Sequence, residues 1–123
     1  MGHLSTHVLD TMHGCPAAGM QVALQRVSSG PGGAEQTETV KTFRLNADGR
    51  HDGGPLLDAA SMAAGRWRLC FEVAAYFRAR GVALPEPPFL GTVQLDFGIA
   101  DAAGHYHVPL LVSPWSYSTY RGS

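Results

Sequence analysis

Apolar and polar positions alternate along much of the chain, with the period of two that places successive side chains on opposite faces of a β-strand. In MQVALQRV at residues 20–27 the even positions 20, 22 and 24 are apolar, and in GRWRLCFEV at 65–73 apolar odd positions alternate with arginine and cysteine. The segments predicted as strands are 4–10, 20–27, 38–46, 65–73, 92–99, 105–113 and 116–121.

Glycine- and proline-rich stretches separate these segments. SSGPGG, ADGRHDGGP and ALPEPPFLG have the composition of loops and turns. The helix predicted from the sequence is EVAAYFRARG at 72–81, where alanine and arginine favour helix and Gly81 is placed to end it. Six or seven closely spaced strands with one short helix predict an all-β protein, an antiparallel β-sandwich forming one domain over residues 1–123.

Pro109 is an exception within the predicted strand 105–113. Proline has no N–H to donate to a neighbouring strand. Either the strand is bulged at this residue, or the Pro109 nitrogen faces a position where no hydrogen bond is needed.

Composition and charge exclude several classes of function. The formal net charge is -1, and the basic residues, eight arginines and Lys41, are scattered, so we expect no nucleic-acid partner. No apolar run approaches the ~20 residues of a membrane helix. Cys15 and Cys70 form no CxxC motif, and no secretory leader precedes them, so we expect free thiols and a cytoplasmic protein.

Three of the six histidines lie on predicted strands. His105 and His107 are two residues apart and therefore share a face, while His7 shares a face with Ser5 and Leu9. They can serve as hydrogen-bonding residues at a sheet surface. A His-x-His pair can also bind zinc, but a third ligand, such as His7, would have to come from another strand or subunit, and no HExxH motif supports this.

Acid–base chemistry is the third interpretation of these histidines, because imidazole titrates near neutrality and can take a proton from water. Arg50 lies on a glycine-flanked turn from which its guanidinium can bind an anionic or carbonyl-rich substrate. The residues alone leave these alternatives open and indicate a β-sandwich with a histidine-bearing face.

Three longer segments, STHVLDTMHGCPAAGMQVALQ, NADGRHDGGPL and HYHVPLLVSPWSYSTYRGS, resemble the transthyretin-related proteins, in particular their 5-hydroxyisourate hydrolase branch. The resemblance runs from about residue 4 to residue 123, and its most specific part is the terminal Tyr-Arg-Gly-Ser. The VLD opening is shared with the hormone carrier transthyretin. The carrier, however, lacks the set formed here by His7, Arg50 and His107 and continues with apolar residues after its SYST segment.

The resemblance implies a fold and an assembly. Each subunit would be a sandwich of two four-stranded sheets, and four subunits would form a homotetramer with active sites at the dimer–dimer interface. The implied reaction is hydrolysis of 5-hydroxyisourate to 2-oxo-4-hydroxy-4-carboxy-5-ureidoimidazoline, without a cofactor or metal. The alternative function is that of a transthyretin-like carrier of a small ligand of the thyroid-hormone type.

The resemblance also implies roles for individual residues. His107 would take a proton from water, His7 would orient that water or share the proton, and Arg50 would hold the substrate. Which histidine is the base stays open, and His105 is expected to be a neighbour. Residues implied as catalytic are His7, Arg50, His107 and Ser123; those implied to bind substrate are His7, Arg50, Tyr120, Arg121 and Ser123.

Overall fold

The computed structural model of the protein describes residues 1–122; Ser123 lies outside the described residues. The strands are β1 (His3–Asp10), β2 (Cys15–Pro16), β3 (Gln21–Ser29), β4 (Glu35–Arg44), β5 (Gly65–Glu72), β6 (Thr92–Ile99), β7 (His105–Val112) and β8 (Tyr117–Thr119). A short α-helix, α1 (Val73–Ala79), follows β5, and a 3-10 turn (Pro31–Gly33) separates β3 from β4.

The strands form two four-stranded sheets, which confirms the predicted sandwich with one short helix. Sheet A has the order β2-β1-β7-β8 and sheet B the order β4-β3-β5-β6. Five of the six strand pairings are antiparallel, but β1 and β7 run parallel. The sandwich predicted as antiparallel therefore contains one parallel pair. All of sheet B lies between β1 and β7 in sequence, and this long connection permits a parallel pairing that a tight turn cannot.

The core lies between the two sheets. In β1 and β7 the even-numbered side chains, including Leu4, Val8, Val108 and Leu110, are buried against sheet B. Sheet B contributes an alternating set that includes Trp67, Leu69 and Phe71, as the sequence pattern predicts. Because successive strand residues face opposite sides, the odd-numbered residues of β1 and β7 form the outer face of sheet A.

Several boundaries differ from those predicted. Strand β4 begins and ends earlier than the predicted 38–46, and residues 15–16, predicted as a turn, form the short strand β2. Helix α1 covers only Val73–Ala79 of the predicted 72–81, and Gly81 follows it with a φ of 84°. The first and last residues of a strand depend on the neighbouring strand, because pairing with that strand stabilises a terminal residue more than its own β-propensity does.

Pro109 produces an interruption in sheet A without a bulge. The pairing of β7 with β1 continues through Pro109 with an unshifted register, in which Pro109 is the partner of His7. On the other side of β7, strand β8 ends at Thr119, the partner of Leu110. One residue further along this register, Pro109 faces Tyr120 and has no N–H to donate. The predicted strand 116–121 therefore ends early, and pairing resumes only where Gly122 meets His107.

Both cysteines are free thiols and are partly buried. Within residues 1–122, no helix combines the length and the apolar character needed to cross a lipid bilayer.

Candidate active site

The parallel pairing of β1 with β7 collects histidines at one end of the outer face of sheet A. His3 is the strand partner of His105, Ser5 is the partner of His107, and His7 follows on the same face of β1. The rings of His3 and His105 lie with their centroids 4.3 Å apart. In an antiparallel pairing the amino-terminal halves of the two strands would lie at opposite ends, so the parallel direction is what brings these side chains together.

Arg50 reaches this face through a loop that packs against β1. The side-chain oxygen of Asn46 accepts the backbone N–H groups of Asp48 and Arg50, which folds the loop on itself. Gly49 then accepts a hydrogen bond from the Val8 N–H at 2.9 Å. A β-carbon at Gly49 would lie 2.5 Å from the Val8 carbonyl oxygen, so the close approach requires glycine. As a result Arg50 pairs with His7 across an antiparallel bridge.

His107 is half-buried and is contacted from both sides. Ser5 Oγ lies 2.8 Å from His107 Nδ1. Gly122 exchanges two backbone hydrogen bonds with His107, the Gly122 N–H donating at 2.8 Å and the His107 N–H donating at 3.2 Å. Burial lowers the pKa of His107 below its ordinary value, and electrostatic repulsion from Arg50, together with the nearby His7 and His3, lowers the pKa further.

A groove opens beside these residues. Its volume is about 280 Å³, and His3, Ser5, Arg50 and His51 are among the residues that line it. Because imidazole, hydroxyl and guanidinium groups share its wall, the groove can hold a small polar molecule against the cation of Arg50. His7 and His107 are not among its lining residues, but Ser5, which lines the groove, contacts the His107 ring. This arrangement suits proton transfer from water combined with stabilisation of a developing negative charge.

The last described residues take different positions. The Arg121 guanidinium carbon lies 4.2 Å from the centroid of the Tyr106 ring, and Arg121 donates to the His105 carbonyl oxygen at 3.1 Å. Tyr106 is an inward-facing residue, so Arg121 lies on the opposite side of β7 from the His107 side chain. Tyr120 is 61% exposed. Within one subunit, therefore, His7, Arg50 and His107 lie close together, Tyr120 and Arg121 do not join them, and Ser123 lies outside the described residues.

His105 lies beside the site rather than within it. Its ring is exposed, and its Nε2 lies 2.6 Å from the Met1 carbonyl oxygen. Within residues 1–122, no three His, Cys, Asp or Glu side chains are arranged to hold a metal ion.

Two residues that touch His107, Ser5 and Gly122, were not predicted as site residues. The sequence does contain a signal for Ser5, because the period of two in a strand places Ser5 on the same face as His7. The signal for Gly122 was only its place in the terminal motif. Its contact with His107 follows from the register of β7 and β8, which continues beyond the interruption at Pro109.

Comparison with known proteins gives a consistent result. The model of the family described as Transthyretin: HIUase/Transthyretin family matches residues 4–122. This chain belongs to the HIUase/Transthyretin family. A curated 5-hydroxyisourate hydrolase of Pseudomonas aeruginosa is 53% identical over 123 residues, which cover 100% of this chain and 93% of that relative. The predicted family is thereby confirmed.

Two solved structures have the same fold as this chain. The 5-hydroxyisourate hydrolase of Klebsiella pneumoniae superposes with a TM-score of 0.77 at 37% identity, covering 100% of both chains. Sea bream transthyretin in complex with thyroxine superposes equally well, with a TM-score of 0.77, at 26% identity, covering 97% of this chain and 93% of that chain. Since a hydrolase and a hormone-binding protein share this fold, side chains must distinguish the two functions.

Proposed function

We propose that this chain hydrolyses 5-hydroxyisourate to 2-oxo-4-hydroxy-4-carboxy-5-ureidoimidazoline, with His107 as the general base. One observation carries the proposal: the half-buried His7 and His107 and the exposed Arg50 lie together on one face of a chain that matches 5-hydroxyisourate hydrolases over its whole length. The reaction opens a cyclic amide, which needs an activated water and stabilisation of the carbonyl oxygen, and this set of side chains supplies both.

His107 accepts a proton from the attacking water and later donates it to the leaving nitrogen. A base must be unprotonated at the working pH, and the lowered pKa of His107 keeps its imidazole neutral at pH 7. Water attacks a ring carbonyl and gives one proton to Nε2 while the new C–O bond forms. When the C–N bond breaks, the same proton passes to the leaving nitrogen, and His107 returns to its neutral form.

Arg50 and His7 act on the substrate and the water. The planar guanidinium of Arg50 binds the carbonyl or anionic edge of the substrate and stabilises the charge that develops on the attacked oxygen. His7, which pairs with Arg50 across the bridge and lies on the same face as Ser5, orients the attacking water or shares its proton.

Assembly into a homotetramer would complete the site. Tyr117, Trp115 and Tyr120 are large side chains that remain 45%, 57% and 61% exposed, and all three lie in or next to β8 in sheet A. Such a concentration of exposed aromatic residues is typical of an interface. Packing copies through this surface would bring Tyr120 and Arg121 of one copy toward the histidine face of another; the part implied for Ser123 lies outside the described residues. This assembly, the single-domain organisation of residues 1–123 and the cytoplasmic location are predictions.

A carrier of thyroid-hormone type is the alternative function. The polar outer face argues against it, because His3, His7, His107 and Arg50 replace the apolar lining expected for such a ligand. Thyroxine titration monitored by tryptophan fluorescence distinguishes the two functions. A carrier predicts saturable binding, and the hydrolase predicts none at micromolar ligand.

The test follows substrate decay directly. Urate oxidase generates 5-hydroxyisourate from urate, and the ultraviolet absorbance of the intermediate is followed with and without this protein. We expect a decay rate proportional to protein concentration and unchanged by a metal chelator. His107→Ala should lower kcat/KM by at least about 100-fold, the range typical of general-base catalysis.

His105→Ala is the matched control, since His105 lies on the same strand and face but is placed outside the catalytic set. Its kcat/KM should stay within about threefold of wild type. Equal losses in the two variants would contradict the assignment of the base to His107, and a folded wild-type protein without any effect on the decay would contradict the hydrolase function itself.

A further inference from the structure

Ser5 contacts the His107 ring nitrogen that the proposed reaction does not use. The two residues are strand partners on the outer face of sheet A, and Ser5 Oγ lies 2.8 Å from His107 Nδ1. Both side chains are partly buried, so water competes weakly for this hydrogen bond. With Nδ1 occupied, Nε2 is the nitrogen left for proton exchange with water.

We propose that Ser5 is a positioning residue that selects the Nδ1–H tautomer of His107 and leaves the Nε2 lone pair free as the base. This inference rests on the proposed hydrolase function. In this tautomer Nδ1–H donates to Ser5 Oγ throughout the reaction. The proton from water enters and leaves at Nε2, so Ser5 neither gains nor loses a proton.

The hydrogen-bond partner of His107 Nδ1 is the neutral hydroxyl of Ser5, and the absence of charge on this partner affects the pKa of His107. A carboxylate in the same place would stabilise the imidazolium and raise the pKa of His107. A hydroxyl orients the ring without this effect, so burial and the charge of Arg50 still act to lower the pKa of His107. Within residues 1–122, the titratable and charged groups near His107 are His3 and His7 from β1, Arg50 from the loop and His105 from β7. The backbone of Gly122 also faces His107.

The contact between Ser5 and His107 also depends on the register in which β1 and β7 pair. Shifting β1 by two residues relative to β7 would place His3 or His7 beside His107 instead of Ser5. A second imidazole at Nδ1 would itself titrate in the same pH range. The register therefore pairs the proposed base with a side chain that does not titrate near neutrality.

The first test uses the wild-type protein alone. Long-range ¹H–¹⁵N NMR of the labelled enzyme, with His107→Ala to assign the signals, reports which ring nitrogen of His107 carries the proton at pH 7.5. We expect protonated Nδ1 and unprotonated Nε2. The opposite tautomer would overturn the proposal, whatever the activity of the protein.

Variants at Ser5 provide the second test. Ser5→Ala should lower kcat by about tenfold, the loss expected for one hydrogen bond that orients a reacting group, with KM unchanged. Ser5→Thr keeps a hydroxyl and should restore at least half of the wild-type kcat. Ser5→Asp should move the acidic limb of the pH–rate profile to higher pH, because its carboxylate stabilises protonated His107.

Thr6→Val is the matched control. Thr6 is the next residue and is buried at the edge of the groove. Its hydroxyl donates to the Val108 carbonyl oxygen at 2.7 Å rather than to His107. This substitution should lower stability and leave both the His107 tautomer and the pH profile unchanged. If wild type is active and Ser5→Ala has the same kcat and tautomer, Ser5 has no positioning role. If the wild-type protein is inactive, the proposed hydrolase function is wrong. The NMR measurement still shows whether Nδ1 or Nε2 of His107 carries the proton.

Discussion

Gly122 packs directly against the imidazole of His107. The two residues exchange backbone hydrogen bonds across sheet A, and a β-carbon on Gly122 would lie 2.9 Å from His107 Cδ2 and 3.0 Å from His107 Cβ. Gly122 has no positive φ, so its backbone conformation is open to any residue. The absence of a side chain at position 122 is therefore explained by the space that the His107 ring occupies.

Gly122→Ala should displace the His107 ring and lower kcat/KM by about tenfold or more, because small misplacements of reacting groups are costly. The unfolding midpoint should change little, since Gly122 lies outside the hydrophobic core between the two sheets. Gly98→Ala is the control, because a β-carbon at Gly98 meets nothing within 4 Å. Steady-state decay assays on both variants test the expectation, and equal activities would show that the contact at Gly122 is not needed.

The pH dependence of the reaction follows from the environment of His107. Its pKa lies below the ordinary histidine value because of burial and the nearby charge of Arg50. As the pH falls through this lowered pKa, His107 becomes protonated and kcat/KM is lost. We expect full activity at pH 7 and an acidic limb centred below about 6.5. A limb centred above pH 7 in a profile of kcat/KM would contradict His107 as the base.

Arg50 is expected to act through both charge and shape. Arg50→Lys keeps the positive charge near His107 but loses the planar fork, so KM should rise while the acidic limb stays in place. Arg50→Gln removes the charge as well, so the pKa of His107 should rise and the limb should move to higher pH. Profiles of kcat and kcat/KM for the two variants separate these effects, and identical limbs would show that Arg50 does not influence His107.

Gly49 and Gly53 separate two costs of replacing glycine in the loop that carries Arg50. Both have positive φ, 75° and 82°, but only at Gly49 would a β-carbon collide with backbone, 2.5 Å from the Val8 carbonyl oxygen. Gly53→Ala should cost about 1 kcal/mol of stability. Gly49→Ala should cost more and also lower activity, because Arg50 moves away from His7. Urea unfolding and decay assays measure both, and full activity of Gly49→Ala would contradict this account of the loop.

Asp10 ties the end of β1 to helix α1. Burial acts to raise its pKa, but the backbone N–H and ring of His13 and the hydroxyl of Tyr76 outweigh burial, so the pKa of Asp10 lies below 3.8. A lowered pKa contributes stability that is present above about pH 4 and is lost as the pH falls through the folded-state value.

Asp10→Asn should therefore lower the free energy of unfolding by about 1–3 kcal/mol at pH 7 and by less at pH 3. The exposed Asp48 provides the control variant, Asp48→Asn, which should cost less than about 0.5 kcal/mol. Urea unfolding at the two pH values tests this. A difference between wild type and Asp10→Asn that grows toward pH 3 would mean that the sign is wrong.

Alternation alone determined much of the fold. The period of two and the turn residues located seven of the eight strands within residues 1–122. They also assigned Trp67, Leu69 and Phe71 to the core, because burial of one sheet face requires apolar residues at alternate positions. The same period put Ser5 with His7, and His105 with His107, on shared faces. The terminal motif and the positions of His7, Arg50 and His107 identified the family.

The tertiary structure decided which faces meet. The period of two is the same for a parallel and an antiparallel neighbour, so it left open that β1 runs parallel to β7 and that Ser5 is the partner of His107. The loop that brings Arg50 to His7 depends on a close approach at Gly49. Gly122 meets His107 because the register in which β8 pairs with β7 continues beyond the interruption at Pro109. These contacts join residues far apart in sequence, and their geometry depends on long-range pairing that no local pattern encodes.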